Sequence, residues 1–156
     1  MSFSDGRVVL GPGEGKTANV PGHAFTYKAM RDDTGGAYSM LEVFVTGRGS
    51  TQHIHKAEEE AFYVLDGEVN VKVREQTIRG AAGTFVLIPR GTVHAFWNAG
   101  VTPAKLLVII SPAGLEQVWV EIGVEAGEEI DAANWVERVR ALGQKYKIEV
   151  VGPPLG

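Results

Sequence analysis

Four side chains in this sequence have the types and spacing to hold a metal ion. His53 and His55 are separated by one residue, so on an extended strand both imidazoles leave the same face and form a chelating pair. Glu60 follows five residues after His55, far enough for the chain to turn and return a carboxylate beside them. His94, inside GTFVLIPRGTVHAFWN, offers a third imidazole. Three nitrogens and one oxygen suit a single divalent transition metal, Fe, Mn, Ni or Co with Zn as a further candidate, better than Mg or Ca. Four protein ligands on an ion that accepts five or six leave room for water, dioxygen or a substrate oxygen, which marks a catalytic site rather than a structural one. Glu58 and Glu59 precede Glu60, and the spacing to Gly67 is what selects Glu60. The remaining histidine, His23, is expected to be an ordinary polar strand residue.

Composition narrows the alternatives. With 156 residues, the chain fits one domain and can bury a core. The formal charge is −4 and the 15 Lys and Arg are scattered, so no nucleic-acid footprint is visible. Cysteine is absent, which removes disulfides, thiolate metal sites and a Cys nucleophile. MSFSDGRVVL places Asp and Arg where a signal peptide needs apolar residues, and no long apolar run follows; a cytoplasmic protein with no membrane partner is expected.

The elements that must position the four ligands are short strands. Residues 1–22 form an N-terminal arm, with a short strand at Arg7 to Leu10 and then GPGEGKTANVPG, expected to be irregular. His23 to Met30 and Tyr38 to Thr46 read as strands flanking the turn cluster RDDTGG. Further strands are expected at Ala61 to Leu65, Glu68 to Arg74, Thr77 to Arg79, Thr84 to Ile88, Val93 to Trp97 and Ala104 to Ser111. Close spacing, Asp-Gly and Gly-Thr punctuation and no helices between them predict an all-β antiparallel barrel or sandwich over 23–111. After Pro112 the period changes. Leu115, Val118, Trp119 and Ile122, then Trp135, Val139, Leu142 and Tyr146, predict two helices within 113–146, with Asp131 as a cap for the second and KIEVVG as a closing strand. Their aromatic residues are expected to be core, with Trp119 a candidate roof for the barrel mouth.

With both stretches in view, the chain resembles the cupin superfamily. The first cupin motif, G(X)5HXH(X)3–4E(X)6G, is matched by Gly47, His53, His55, Glu60 and Gly67, and the second, G(X)5PXG(X)2H(X)3N, by Gly83, Pro89, Gly91, His94 and Asn98. The resemblance implies a jelly-roll β-barrel, one metal held by His53, His55, Glu60 and His94, and a homodimer, with strand exchange by the arm as one route to it. Alternation places Phe62, Val64 and Phe96 on the ligand side of their strands, with Phe44, Val86 and Ile88 able to join them as an apolar substrate pocket. Lys and Arg are missing from that side, which disfavours a sugar phosphate. The small-molecule substrate is therefore expected to be aromatic or enolic.

Three functions fit. The first is an oxygenase similar to the quercetin 2,3-dioxygenase-like cupins, in which Glu60 is both ligand and catalytic base. The second is redox-neutral cyclisation or isomerisation, with the metal as Lewis acid. The third is ligand binding without turnover. Because imidazole binds metal only when neutral, affinity is expected to fall below about pH 6.

Overall fold

Alternation of burial decides the architecture. Along β10 (Ala104–Ser111), Ala104, Leu106, Val108 and Ile110 are buried and the residues between them are not, as a strand with one face on a core requires. The computed structural model describes residues 5–123 and 131–156. Before β10 come β1 (Lys16–Val20), β2 (His23–Ala29), β3 (Ser39–Val45), β4 (Gln52–His55), β5 (Glu59–Asp66), β6 (Glu68–Val73), β7 (Gln76–Ala81), β8 (Phe85–Ile88) and β9 (His94–Asn98), and β11 (Ile148–Gly152) closes the chain. They form two antiparallel sheets, one of six strands in the order β1-β2-β3-β10-β5-β8 and one of five in the order β11-β4-β9-β6-β7. Inner-face residues of both, among them Leu41, Phe62 and Leu106 from the first and Val69, Val71 and Phe96 from the second, share one core. The arrangement is a jelly-roll sandwich.

Helices α2 (Gln117–Ile122) and α3 (Ala132–Tyr146) carry their apolar faces to the same core through Val118, Ile122, Trp135 and Val139. Asp131 sits just before α3, where its carbonyl accepts the Trp135 N–H at 3.0 Å and its carboxylate accepts the Asn134 amide at 2.8 Å. No helix among the described residues is long and apolar enough to cross a membrane.

The structure departs from the sequence expectations in three places. Part of the arm is regular: Lys16–Val20 pairs with β2 along its whole length and buries Ala18 and Val20, whereas at Arg7 to Leu10 only an isolated bridge forms, at Val8. The Gly and Pro that suggest irregularity stand at 11–15 and 21–22, and the five residues between them, with β-forming Thr17 and Val20, are free to pair. RDDT, expected as turn, is one turn of helix, α1 (Arg31–Thr34), closed by Gly35 in the left-handed region at φ 63°. Phe44 is not in the pocket. On β3 the inward residues are Leu41, Val43 and Val45, so Phe44 takes the opposite parity and lies 43% exposed beside Lys105 on the outer face.

One buried carboxylate ties α1 to α2. Glu116, fully buried, accepts the backbone N–H of Arg31 at 2.8 Å and of Gly114 at 2.6 Å, while its carbonyl accepts the Tyr27 hydroxyl at 3.3 Å. Hydrogen bonds to a charged group contribute about 1.5–3 kcal/mol each. Glu116→Ala would orphan two amides, and a loss of about 2–4 kcal/mol in urea unfolding is expected; a change below about 0.5 kcal/mol, the size of an ordinary surface substitution, would show that the bonds carry little.

Candidate metal centre

The two sheets meet at the four ligands. His53 on β4 lies directly opposite His94 on β9, and His55 leaves β4 on the same face two residues later. Glu60 reaches in from β5 of the other sheet. The turn before β9 is tied to β4 by Gly91, whose N–H donates to the His55 carbonyl at 2.8 Å and whose φ of 72° suits glycine. Gly67 likewise turns at φ 72° in the Asp66-Gly67 hairpin. All four ligand side chains are buried, each offering a ligand atom within 4.8 Å of the others. Imidazole centroids are 4.3 Å apart for His53 and His94, 4.7 Å for His53 and His55, and 4.9 Å for His55 and His94.

Hydrogen bonding fixes which nitrogens face inward. His53 Nδ1 is 2.6 Å from the Thr51 carbonyl, and His94 Nδ1 is 2.9 Å from the Thr92 carbonyl. A carbonyl only accepts, so in each neutral ring Nδ1 carries the proton and Nε2 presents a lone pair. His94 Nε2 then faces Glu60 Oε2 at 2.9 Å, and His55 Nδ1 faces the same oxygen at 3.4 Å. Two acceptors at that distance repel unless a proton or a cation lies between them. His55 sharpens the case, because both of its ring nitrogens are buried without a hydrogen-bond partner, an arrangement costing about 1–3 kcal/mol per group when nothing fills it. The donor set fits a divalent transition metal: ligand atoms on one ion with bonds near 2.1 Å are at most about 4.2 Å apart, and here they lie within 4.8 Å of one another with one pair at 2.9 Å. Thr51 and Thr92, both buried, orient the imidazoles in the way carbonyl partners commonly do in metal sites.

Burial lowers the His53 pKa to about 3, with the neighbouring His94 adding to the effect. His55 is held well below the usual histidine range by burial first and by His53 and His94 next. These rings stay neutral far below pH 6, so proton competition at His53 and His55 begins at more acidic pH than the sequence alone suggests.

A cavity of about 50 Å³ opens over the centre, lined by His53, His55 and Glu60 at one end. Its walls are mainly apolar, with Phe25 and Phe96 from the barrel and Trp119 and Trp135 from the helices, and no Lys or Arg among the described residues lines it. Trp119 stacks on Phe25 at 4.9 Å between centroids and so does roof the mouth. Of the residues expected to form the pocket, Phe96 lines it; Phe62, Val64 and Ile88 are buried in the core, Val86 is half-buried against it, and Phe44 is outside. Phe62 supports the site from behind, 6.4 Å from the His94 ring and 5.2 Å from Phe96.

His23 is the residue sequence reasoning set aside. It lines the cavity, is 8% exposed, and has Nδ1 buried. The alternation of β2, which buries His23 with Phe25 and Tyr27, was the available signal.

Comparison with known proteins agrees with this geometry. A family model for the cupin domain matches residues 40–110, a span holding all four ligands. Residues 40–110 are a cupin domain. The chain is 28% identical over 79 residues to tetracenomycin polyketide synthase protein TcmJ of Streptomyces glaucescens, covering 51% of this chain and 52% of that protein, so it spans about half the length of this curated relative. Its fold is similar to that of the polyketide cyclase RemF of Streptomyces resistomycificus, with a TM-score of 0.60 at 19% identity over 67% of this chain and 79% of the other. TT1209 of Thermus thermophilus is similar with a TM-score of 0.54 at 26% identity, over 61% and 88% of the two chains.

Proposed function

We propose that this cupin is a metal-dependent enzyme acting on an uncharged enolic or phenolic small molecule, by redox-neutral cyclisation or isomerisation. The observation that carries it is the pair of opposed acceptors, His94 Nε2 and Glu60 Oε2 at 2.9 Å, beneath an apolar cavity. A bound ion would supply Lewis acidity toward a substrate oxygen and, if redox-active, access to dioxygen chemistry. The protein's own groups do the rest. Glu60 Oε2 is placed to accept the proton of an enol hydroxyl, Phe25, Phe96 and Trp119 flank apolar rings, and α2 and α3 exclude water. The cavity is far below the roughly 300 Å³ or more of most small-molecule sites, so a ring-bearing substrate enters as α2 and α3 move from the mouth. Similarity to a polyketide synthase protein and a polyketide cyclase supports the redox-neutral choice.

An oxygenase of the quercetin 2,3-dioxygenase-like kind is the second reading, favoured by the coordination positions that four protein ligands leave open. Protein loaded in turn with Zn, Fe, Mn, Ni and Co, given polyhydroxylated aromatic ketones and flavonols under argon and in air, separates the two. Products isomeric with substrate, or differing from it only by water, formed under argon are expected. Turnover only in air, with one O₂ taken up per product, would transfer the site to the oxygenase class. Saturable binding without turnover under any condition would leave a binding protein.

A homodimer also belongs to this proposal. Edge strand β8 and its neighbour β5 expose Tyr63, Phe85 and Leu87 on one side, an apolar face that a second copy would cover. Light scattering should give twice the chain mass for the wild type and the single mass for Phe85→Glu with Leu87→Glu; a wild-type monomer would refute the assignment.

A further inference from the structure

We propose that His23 is a second substrate-recognition residue of this cavity, its imidazole bonding a hydroxyl of the substrate distinct from the oxygen held at the His53, His55, Glu60 and His94 centre. The inference rests on the metal-enzyme function above and specifies its substrate: an enol or phenol with a further hydroxyl too distant from the first to chelate the same ion.

At His23 a polar ring is set among apolar ones. His23 starts β2, paired with Val20 on one side and Val45 on the other, and its ring is sunk among Phe25 and Phe96, with centroids 5.8 and 5.2 Å away. Those neighbours offer no hydrogen bond, and Nδ1 is closed off from the cavity beside the Gly22 backbone, which leaves Nε2 as the nitrogen open to a ligand. A histidine kept only for packing would be better replaced by an apolar residue, since a buried polar atom without a partner is destabilising. The same ring lines the cavity that the metal ligands line, so a ligand in that cavity is the natural partner. Burial lowers the His23 pKa to about 4, a hydrogen bond to the adjacent Gly22 backbone opposing this in part, so the ring is neutral near pH 7 with one donor and one acceptor nitrogen. A hydroxyl satisfies either tautomer, because it both donates and accepts. A carboxylate or a carbonyl would satisfy only one.

The test uses cobalt(II)-loaded protein titrated with phenol, with its 1,3-dihydroxy relative resorcinol and with its 1,4-dihydroxy relative hydroquinone, following the cobalt visible spectrum. Neither diol can place both oxygens on one ion. At least one diol is expected to bind about tenfold more tightly than phenol to the wild type, the gain from satisfying a buried group. In His23→Phe that advantage should shrink to within about twofold while phenol affinity and cobalt stoichiometry hold, and His23→Asn, which keeps a donor and an acceptor, should recover part of it. Equal affinity for phenol and both diols in the wild type would overturn the proposal, as would an advantage that survives in His23→Phe. Parallel loss of phenol and diol binding in both variants would show a packing role instead. Failure of the wild type to take up cobalt would reject the metal centre itself, a result visible before any phenol is added.

Discussion

His55→Leu is expected to abolish metal binding while leaving the metal-free protein as stable as the wild type or about 1–2 kcal/mol more stable, because both nitrogens it removes are buried without partners. Losing a ligand should weaken affinity by more than the roughly 10–100-fold that follows loss of an outer-shell partner. The two effects have opposite signs only if the imidazole is kept for a ligand. A structural histidine would give the reverse pattern, with stability falling by an amount typical of a lost core contact. Equilibrium unfolding of the metal-free proteins, together with competition against a chromophoric chelator, reads both quantities. Metal affinity within about threefold of the wild type, well short of even an outer-shell loss, would remove His55 from the ligand set.

Acid should destabilise the metal-free protein well before its carboxylates titrate. The folded-state pKa of His23 is lowered to about 4 and that of His53 to about 3, both from 6.5. Between those values and 6.5 the unfolded chain binds more protons than the folded one, so stability rises with pH and is lost as pH falls through 6.5. At pH 5 each ring contributes up to about 2 kcal/mol of loss, 1.5 pH units at about 1.36 kcal/mol per unit. His55, also lowered, acts in the same direction. Bound metal adds stability of its own at neutral pH by mass action, and because the folded rings at His53 and His55 resist protonation, the metal-bound protein should keep its ion at pH 5.5. Urea unfolding of the metal-free protein at pH 7.5 and pH 5 is expected to differ by several kcal/mol, and a flat profile across that range would mean that these rings are more hydrated than the structure indicates.

The cluster of His53, His55, Glu60 and His94 was legible in the sequence because its signal is one of spacing. His53 and His55 stand on one face of any strand, and Pro89 and Gly91 force a turn that returns His94. Strands β5 to β10 were legible for a related reason, since alternation and turn residues act locally. What escaped depends on contacts between distant segments. Phe44 has a β-strand neighbourhood apolar on both parities, and only pairing with β10 reveals which parity is inward. His23 looks like any polar strand residue until α2 and α3 close over the cavity that it lines. Thr51 and Thr92 act through backbone carbonyls, which carry no side-chain signature. The roof itself combines Trp119 and Trp135 from two helices, and helical periodicity places both on apolar faces without showing what they cover.

The most direct test of the central claim is elemental analysis of protein prepared without a histidine tag or chelator, beside His55→Leu prepared in the same way. About one equivalent of Fe, Mn, Ni, Co or Zn per wild-type chain, and almost none in the variant, is the result a single His₃Glu centre requires. Wild-type protein that carries no ion, and takes none up when these metals are supplied, would contradict it and return the opposed lone pairs of His94 and Glu60 to a bound proton.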